Sequence, residues 1–444
     1  MINRYFLTFA LVCSFAVPAA AQSIVRDCRI EPELIFQMMK AEYGSYNVWD
    51  VVQGEMNLDE SFASGVVLES GNVLAVAEIA SFGKPERGLK LVEFDQRGRL
   101  MWEAAHTVKD LTVVKKILAT PTGFAVVGIS RDAKSRGSIW MGFFDKVGKL
   151  TGQKTISSGK SSSLLPDDIL LRGDGKGFIL AAAVGNEKSD LFHAAIYHLN
   201  LKGDVTDTHA YMPGLDNRLR GLSATSKYEY VASGYLRGED GRITGWILKL
   251  NEDGSLIWQR QYPRGKSAQI NKAVPFVTES LIAAGTTEPL NGGNSAAWVM
   301  MIDEGTGNVV WQRYYTDALD QAATDAIVNA DGLASIMVQN TKPAGVEATE
   351  DTEDFIRLLT VNERGVLTIS DEYFNGAGAQ GAQMIGGRAG ERIILARTDI
   401  VYKIEPKPGQ EVETLKHGWD GLIVAGAPME HFDDPCIRAN PFAQ

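Results

Sequence analysis

The sequence predicts an all-β protein: a seven-bladed β-propeller of four-stranded antiparallel blades, with a short N-terminal helix. Three observations predict it. A strand–turn–strand phrase returns every 44 to 58 residues, a second and more apolar hairpin precedes each copy, and glycine is abundant, at 45 of 444 residues, as a chain with many turns requires. Internal repetition at this period is the signature of an array in which each unit buries its faces against its neighbours.

The phrase is plainest in GWILKLNEDGSLIWQRQY, Gly245 to Tyr262. Aligned on its turn glycine, Gly254, it recurs around Gly98, Gly148, Gly203, Gly307 and Gly365, and in a degenerate last copy, IVYKIEPKPGQEVETLK, around Gly409. The turns Asn-x-Asp-Gly, Asp-x-x-Gly and Asn-x-x-Gly supply the positive φ that tight hairpins require. The preceding hairpins, such as SGVVLESGNVLAVAEI, DILLRGDGKGFILAAAV and DAIVNADGLASIMVQ, are nearly continuous in small and β-branched apolar residues. Such strands are buried on both faces, whereas the strands of the phrase alternate and lie further out. Two hairpins make a four-stranded unit that cannot cover both its faces, and a ring of such units can. Trp102, Trp258 and Trp311 recur in the outermost strand, and Trp140 and Trp246 in the strand before it, where they plug the space between blades.

The ring has to close. Asn47 to Gln53, NVWDVVQ, resembles an outer strand and could add to the last blade beside QEVETLK or in its place. Glu31 to Glu42 reads as one amphipathic helix, with Pro32 early and Gly44 ending it. The expected organisation is a signal peptide over 1–21, the helix and closing strand over 22–60, the propeller over 61–416 and a tail over 417–444.

The chain starts MINRYFLTFALVCSFAVPAAAQS: Arg4, an apolar run from Tyr5 to Val17, then small residues with cleavage expected after Ala21. The run is too short to span a bilayer. We therefore expect a soluble, monomeric protein of the periplasm or the extracellular space, without a membrane span. Loss of the signal removes Cys13 and leaves Cys28 and Cys436, a candidate disulfide that would lock the same seam as the closing strand. Loss of Arg4 moves the formal charge from -11 to -12. That balance argues against nucleic acid and against adhesion to anionic lipid.

At Ile302 to Trp311, IDEGTGNVVW resembles the repeat of pyrroloquinoline-quinone-type propellers, in which an acidic turn and Thr-Gly precede a tryptophan. LNEDGSLIW, Leu250 to Trp258, is a looser copy. The resemblance implies the propeller architecture over nearly the whole mature chain. That group holds quinoprotein dehydrogenases and non-catalytic outer-membrane assembly propellers, both typically with one blade more. The adjacent cysteine pair of many dehydrogenases and the lipid-attachment cysteine of the assembly proteins are missing here, so neither activity carries over.

No compact catalytic motif emerges from the residues. His193 and His198 are five apart on a predicted strand, so they face opposite ways and cannot share a metal. HFDD at His431 to Asp434 reads as a solvated tail. GAGAQG, Gly376 to Gly381, has the letters of a dinucleotide loop but precedes a strand, not the helix that would receive a pyrophosphate. Gly159-Lys160-Ser161 and Gly265-Lys266-Ser267 lack the leading glycine of a phosphate loop. No metal site or cofactor is predicted: the turns at Asn251 to Asp253 and at Asp303 have too few oxygen ligands for calcium, and no residues call for a quinone.

The repeat itself yields a constellation. Ser64, Lys115, Asp167, Arg220, Lys272, Asp325 and Gln383 stand just before each inner strand, in register with its turn; they follow the blade period and should ring the mouth of the central channel. They read either as ion pairs tying blades together or as a polar mouth for a small anion, sugar or peptide end. The loop Gln339 to Asp354 is strongly acidic and reads as solvated, or as a docking element for a basic partner. The favoured function is a non-enzymatic exported propeller binding a cell-envelope protein or small ligand. The alternative is a divergent enzyme at the channel mouth, a quinoprotein-like oxidoreductase or a sugar-acting hydrolase or lyase, drawing on acids such as Asp167, Asp168 and Asp325.

Overall fold

The computed structural model describes residues 29–30, 49–54, 58–81, 87–159, 162–186, 191–211, 213–316, 319–329, 332–343, 354–373, 378–388, 390–399, 401–404, 413–416 and 419–426. The regular structure among them is all β-strand, arranged as a propeller of four-stranded antiparallel blades. The predicted signal peptide, the predicted helix and both Cys28 and Cys436 lie outside the described residues. No described helix is long and apolar enough to cross a membrane.

The first sheet runs Leu58–Val67, Val73–Ser81, Arg87–Phe94 and Leu100–Thr107, from channel to rim. The second is Leu111–Thr120, Gly123–Arg131, Gly137–Phe144 and Leu150–Ile156. The third is Ser163–Leu171, Gly177–Asn186, Leu191–Asn200 and Val205–Tyr211. After the next eight strands come Asp320–Val328, Ala334–Thr341, Phe355–Val361 and Leu367–Tyr373, and then the last sheet. Burial follows the composition: Gly177–Asn186 is buried along most of its length, while the rim strand Leu150–Ile156 is exposed along most of its own. Separate cores fill the spaces between neighbouring sheets. One packs Leu74, Leu89 and Leu91 of the first sheet on Ile117, Phe124 and Trp140 of the second.

Two expectations are corrected. Five four-stranded sheets stand alone, not seven. The fourth and fifth units, Asp216–Tyr262 and Ser267–Tyr315, are joined in one nine-stranded sheet by a single parallel pair, Ile243 with Ser267, and Arg29–Ile30 adds to its rim strand Val309–Tyr315. Physically, the fourth unit's chain leaves its third strand close enough to the fifth unit's inner strand to bond once.

The second correction concerns the last copy. Val401–Ile404 and Glu413–Lys416 form a separate two-stranded hairpin. The last sheet is Gly378–Gly386, Arg392–Asp399, Asp420–Ala425 and then Trp49–Gln53. Its third strand thus comes from the segment assigned to the tail, because the hairpin interrupts the repeat and displaces its continuation. The N-terminal strand takes the rim position, as Trp49 pairs with Ala425 and Gln53 with Gly421. The seam is fastened beside it: Trp419 N donates to Asp59 Oδ1 at 2.9 Å, and Glu60 N to Trp419 O at 2.6 Å.

The rim tryptophans bridge neighbours. Trp49 Nε1 donates to Gln96 O, Trp258 Nε1 to Glu304 O and Trp311 Nε1 to Glu363 O, each on the turn of the following unit. The indole covers the turn glycine: a Cβ on Gly307 would lie 3.0 Å from the Trp258 ring. Four residues on, Tyr262 Oη donates to Gly307 O at 2.7 Å. The repeated turn glycine therefore meets two demands at once, a φ of 73° and a flat ring above it.

Candidate functional site

Each inner strand carries a β-bulge at the same level. The residues skipped by the pairing are Ala63, Lys115, Asp167, Arg220, Asn271, Thr324 and Ala382. A bulge places two consecutive side chains toward one side of the strand. At six of the seven inner strands both residues of the pair line the channel, and at the fourth unit Arg220 alone does. All seven residues picked from the sequence line one cavity of about 610 Å³. They come from two registers: Lys115, Asp167 and Arg220 are bulged, whereas Ser64, Lys272, Asp325 and Gln383 follow the bulge.

The residues after the bulge form a belt across the unit boundaries. Ser64 Oγ accepts from Ile117 N at 3.1 Å, Asp168 Oδ2 from Leu222 N at 2.7 Å, and Asp325 Oδ2 from Met384 N at 2.8 Å. Gln383 Oε1 accepts from Gly65 N at 3.0 Å and from Ser64 Oγ at 2.7 Å, which closes the circle. Lys116 pairs with Asp168 Oδ1. Asn271, on the bulge itself, donates to Ala323 O at 2.8 Å. Each carboxylate or hydroxyl thus satisfies a backbone N–H that the bulge would leave without a partner.

Gly221 breaks the polar series for a steric reason. A Cβ there would lie 2.6 Å from Asn271 O and 3.0 Å from the Lys272 stem. Lys272 passes through that space and reaches two units back, to Asp168 Oδ2 at 3.0 Å, also donating to Leu222 O at 2.8 Å. Asp168 therefore sits between two ammonium groups. Burial alone would raise its carboxyl, but Lys116 and Lys272 outweigh this and hold it well below the usual 3.8. Burial pushes the Lys116 amine down. Lys272 is buried too, yet Asp168 and Asp325 on either side push its amine up. Burial raises Asp325, although Lys272 and two backbone N–H groups act against it.

The bulged residues are less committed. Arg218 holds Asp167 at 2.5 and 3.3 Å. Lys115 and Arg220 line the cavity and, among the described residues, have no carboxylate within ion-pair distance. Arg220 is exposed and lies over the Tyr235 ring at 5.7 Å. Burial pushes the Lys115 amine below its usual 10.5, with Asp167 opposing the shift. Lys116, Asn271, Thr324 and Gly221 were missed from the sequence. The available signal was the doublets Lys115-Lys116, Asp167-Asp168 and Asn271-Lys272 at one repeat position.

Other sequence candidates stay apart from this cavity. His198 is buried against His209, ring centroids 5.5 Å apart, and burial lowers its pKa. Among the described residues no group of three or more His, Cys, Asp or Glu could hold a metal ion. Calcium fits the channel poorly, since Asp168 faces two ammonium groups. Gly378 to Gly381 enter a strand. Ser267 starts an inner strand, while Lys160 and Ser161 lie outside the described residues, as do His417, His431 and residues 344–353 of the acidic loop.

A closed propeller with a polar channel is the class this fold and cavity define. No family model and no curated protein sequence matches the chain. Among solved structures it is similar to a protein of unknown function from Dyadobacter fermentans, at 10% identity over 86% of this chain and 99% of that one, TM-score 0.46. It is also similar to an α-L-arabinanase from Penicillium chrysogenum, at 12% identity over 71% and 98% of the two chains, TM-score 0.44. A third is a lignostilbene dioxygenase from Pseudomonas brassicacearum, at 9% identity over 85% and 90%, TM-score 0.40. These likenesses are distant and assign no activity.

Proposed function

We propose that this chain is an exported, non-enzymatic propeller that binds a small ligand, or one end of an envelope protein, at the mouth of its central channel. In this reading the nine-stranded sheet counts as two blades, so seven units surround the channel. One observation carries it: the channel carboxylates are used up in holding the ring. Asp168 is shared by two lysines and a backbone N–H, Asp167 is held by Arg218, and both Asp325 oxygens accept backbone N–H bonds. A glycosidase needs two carboxyl groups facing substrate, one of them able to give up a proton. The channel offers a rigid, charged lining instead.

The rival reading is an enzyme of the channel mouth, and Asp325 is the observation on its side, since burial raises its pKa. Mass spectrometry of the native protein purified from its own export compartment, before and after denaturation, tests the proposal. A stoichiometric small molecule or envelope partner is the expected result. Turnover of a glycan or a quinone-coupled substrate that Asp325→Asn abolishes would overturn it.

A further inference from the structure

The channel cavity is two-sided, and this deepens the binding reading, on which it rests. On the side of the second to fourth units stand Lys115, Asp167 and Arg220. The fifth and sixth add an apolar stretch, Val274, Pro275, Ile327 and Val328, all half-buried, which follows Lys272 and Asp325 on the same strands. The charges do not balance either. Four cations, Lys115, Lys116, Arg220 and Lys272, face three carboxylates, Asp167, Asp168 and Asp325, and Asp167 is further neutralised by Arg218 from outside the lining. Among the described residues Lys115 and Arg220 make no ion pair, while Lys116 and Lys272 share Asp168.

We propose that the ligand is a small organic anion: one acidic head held by Lys115 and Arg220, and an apolar body laid along Val274, Pro275, Ile327 and Val328. Several features agree with this chemistry. A cavity of about 610 Å³ exceeds what a bare inorganic ion fills, and falls in the range of pockets that enclose organic ligands. A partly desolvated lysine that makes no direct ion pair, its nearest carboxylate Asp167 being held by Arg218, gains from a ligand that brings a counter-charge into contact. The guanidinium of Arg220 is steadied by Tyr235, so little of its freedom is lost on binding. The apolar side gives a wholly hydrophilic anion, such as a free phosphate, no advantage over water.

Octanoate, octanol and acetate separate the two halves of the claim, with calorimetric titration as the readout on the full mature protein. Octanoate should bind saturably, and at least about tenfold more tightly than either octanol or acetate. Lys115→Met and Arg220→Gln should each weaken octanoate about tenfold and leave octanol unchanged. Neither residue belongs to the belt, so both variants should melt where the parent does, and the double variant at Ala63 and Ala382 to Ser serves as a lining control that keeps octanoate affinity. Equal binding of octanol and octanoate, or full octanoate affinity in both charge variants, overturns the anionic head while leaving a channel-binding protein. Equal binding of acetate overturns the apolar body. No octanoate binding, with some other molecule recovered from the native protein, overturns the inference and spares the binding reading; nothing bound in either experiment overturns both.

Discussion

At the scale of single residues, the molecule is organised around Asp168. Its side chain is 8% exposed and is contacted by Lys116, Lys272 and the Leu222 N–H. Removing one partner of a buried pair leaves the other charge desolvated, at a cost of about 3–5 kcal/mol. Asp168→Asn should lose stability of that order in urea or guanidinium unfolding, with the chain length and rim unchanged. The pH dependence follows from the sign of the shift. The folded Asp168 pKa lies below its usual 3.8, so its stabilisation is complete above that value and is lost as pH falls through the folded pKa. Below about pH 4 the parent should therefore lose stability more steeply than Asp168→Asn. Lys272 behaves oppositely. Its folded pKa is raised, so its contribution is complete below its usual 10.5 and is lost as pH rises through the higher folded value. Unfolding free energies measured from pH 2 to pH 11 would check both limbs.

At the scale of strands and turns, the repeated glycine and the rim aromatic are one device. Gly307 combines φ 73° with the Trp258 ring above it, whereas Gly175 has φ 69° and open space where a Cβ would stand. Placing Ala at either position meets the left-handed penalty of about 1–2 kcal/mol. Only Gly307→Ala must also push back the Arg260 stem and the Trp258 indole, so it should be measurably the more destabilising of the two in parallel denaturant titrations. Trp258→Phe, which keeps a ring but loses the bond to Glu304 O, should cost about 1 kcal/mol by the same measurement. These features were legible in the sequence because turn chemistry and aromatic spacing are local. The bulges were not. Aligning Lys115 with Lys272 looks correct by letters, but an extra unpaired residue shifts the pleat without any sequence mark, and so the ring of seven mixed two registers. Asp420–Ala425 escaped for a related reason: the hairpin of Val401–Ile404 and Glu413–Lys416 imitates the missing half-blade, and only pairing with Arg392–Asp399 tells them apart.

At the scale of the whole molecule, a ring is only as firm as its seam, and here the last sheet takes three strands from the C-terminal end and one from the N-terminal end. Trp49–Gln53 covers the edge of Asp420–Ala425, most of which is buried, and Trp49 reaches across to Gln96 of the first sheet. A chain starting at Leu58 would bare that edge, an invitation to pair with another molecule. Five paired residues at about 1 kcal/mol of hydrogen bonding each set the loss on the order of 5 kcal/mol. That approaches the whole stability of many domains. We expect such a truncated protein to unfold at lower temperature, over a broader transition, and to aggregate near neutral pH. A synthetic peptide of residues 46–54 should restore the parent melting profile in calorimetry, because it replaces the strand without joining it covalently. The belt gives the same experiment a functional reading. Gln383 bonds to Ser64 and Gly65 across this seam, at the channel edge of the sheet whose rim is the closing strand. If the seam holds the channel in shape, octanoate binding should vanish in the truncated chain and return with the peptide. An unchanged melt without residues before 58 would mean that the channel belt alone closes the ring.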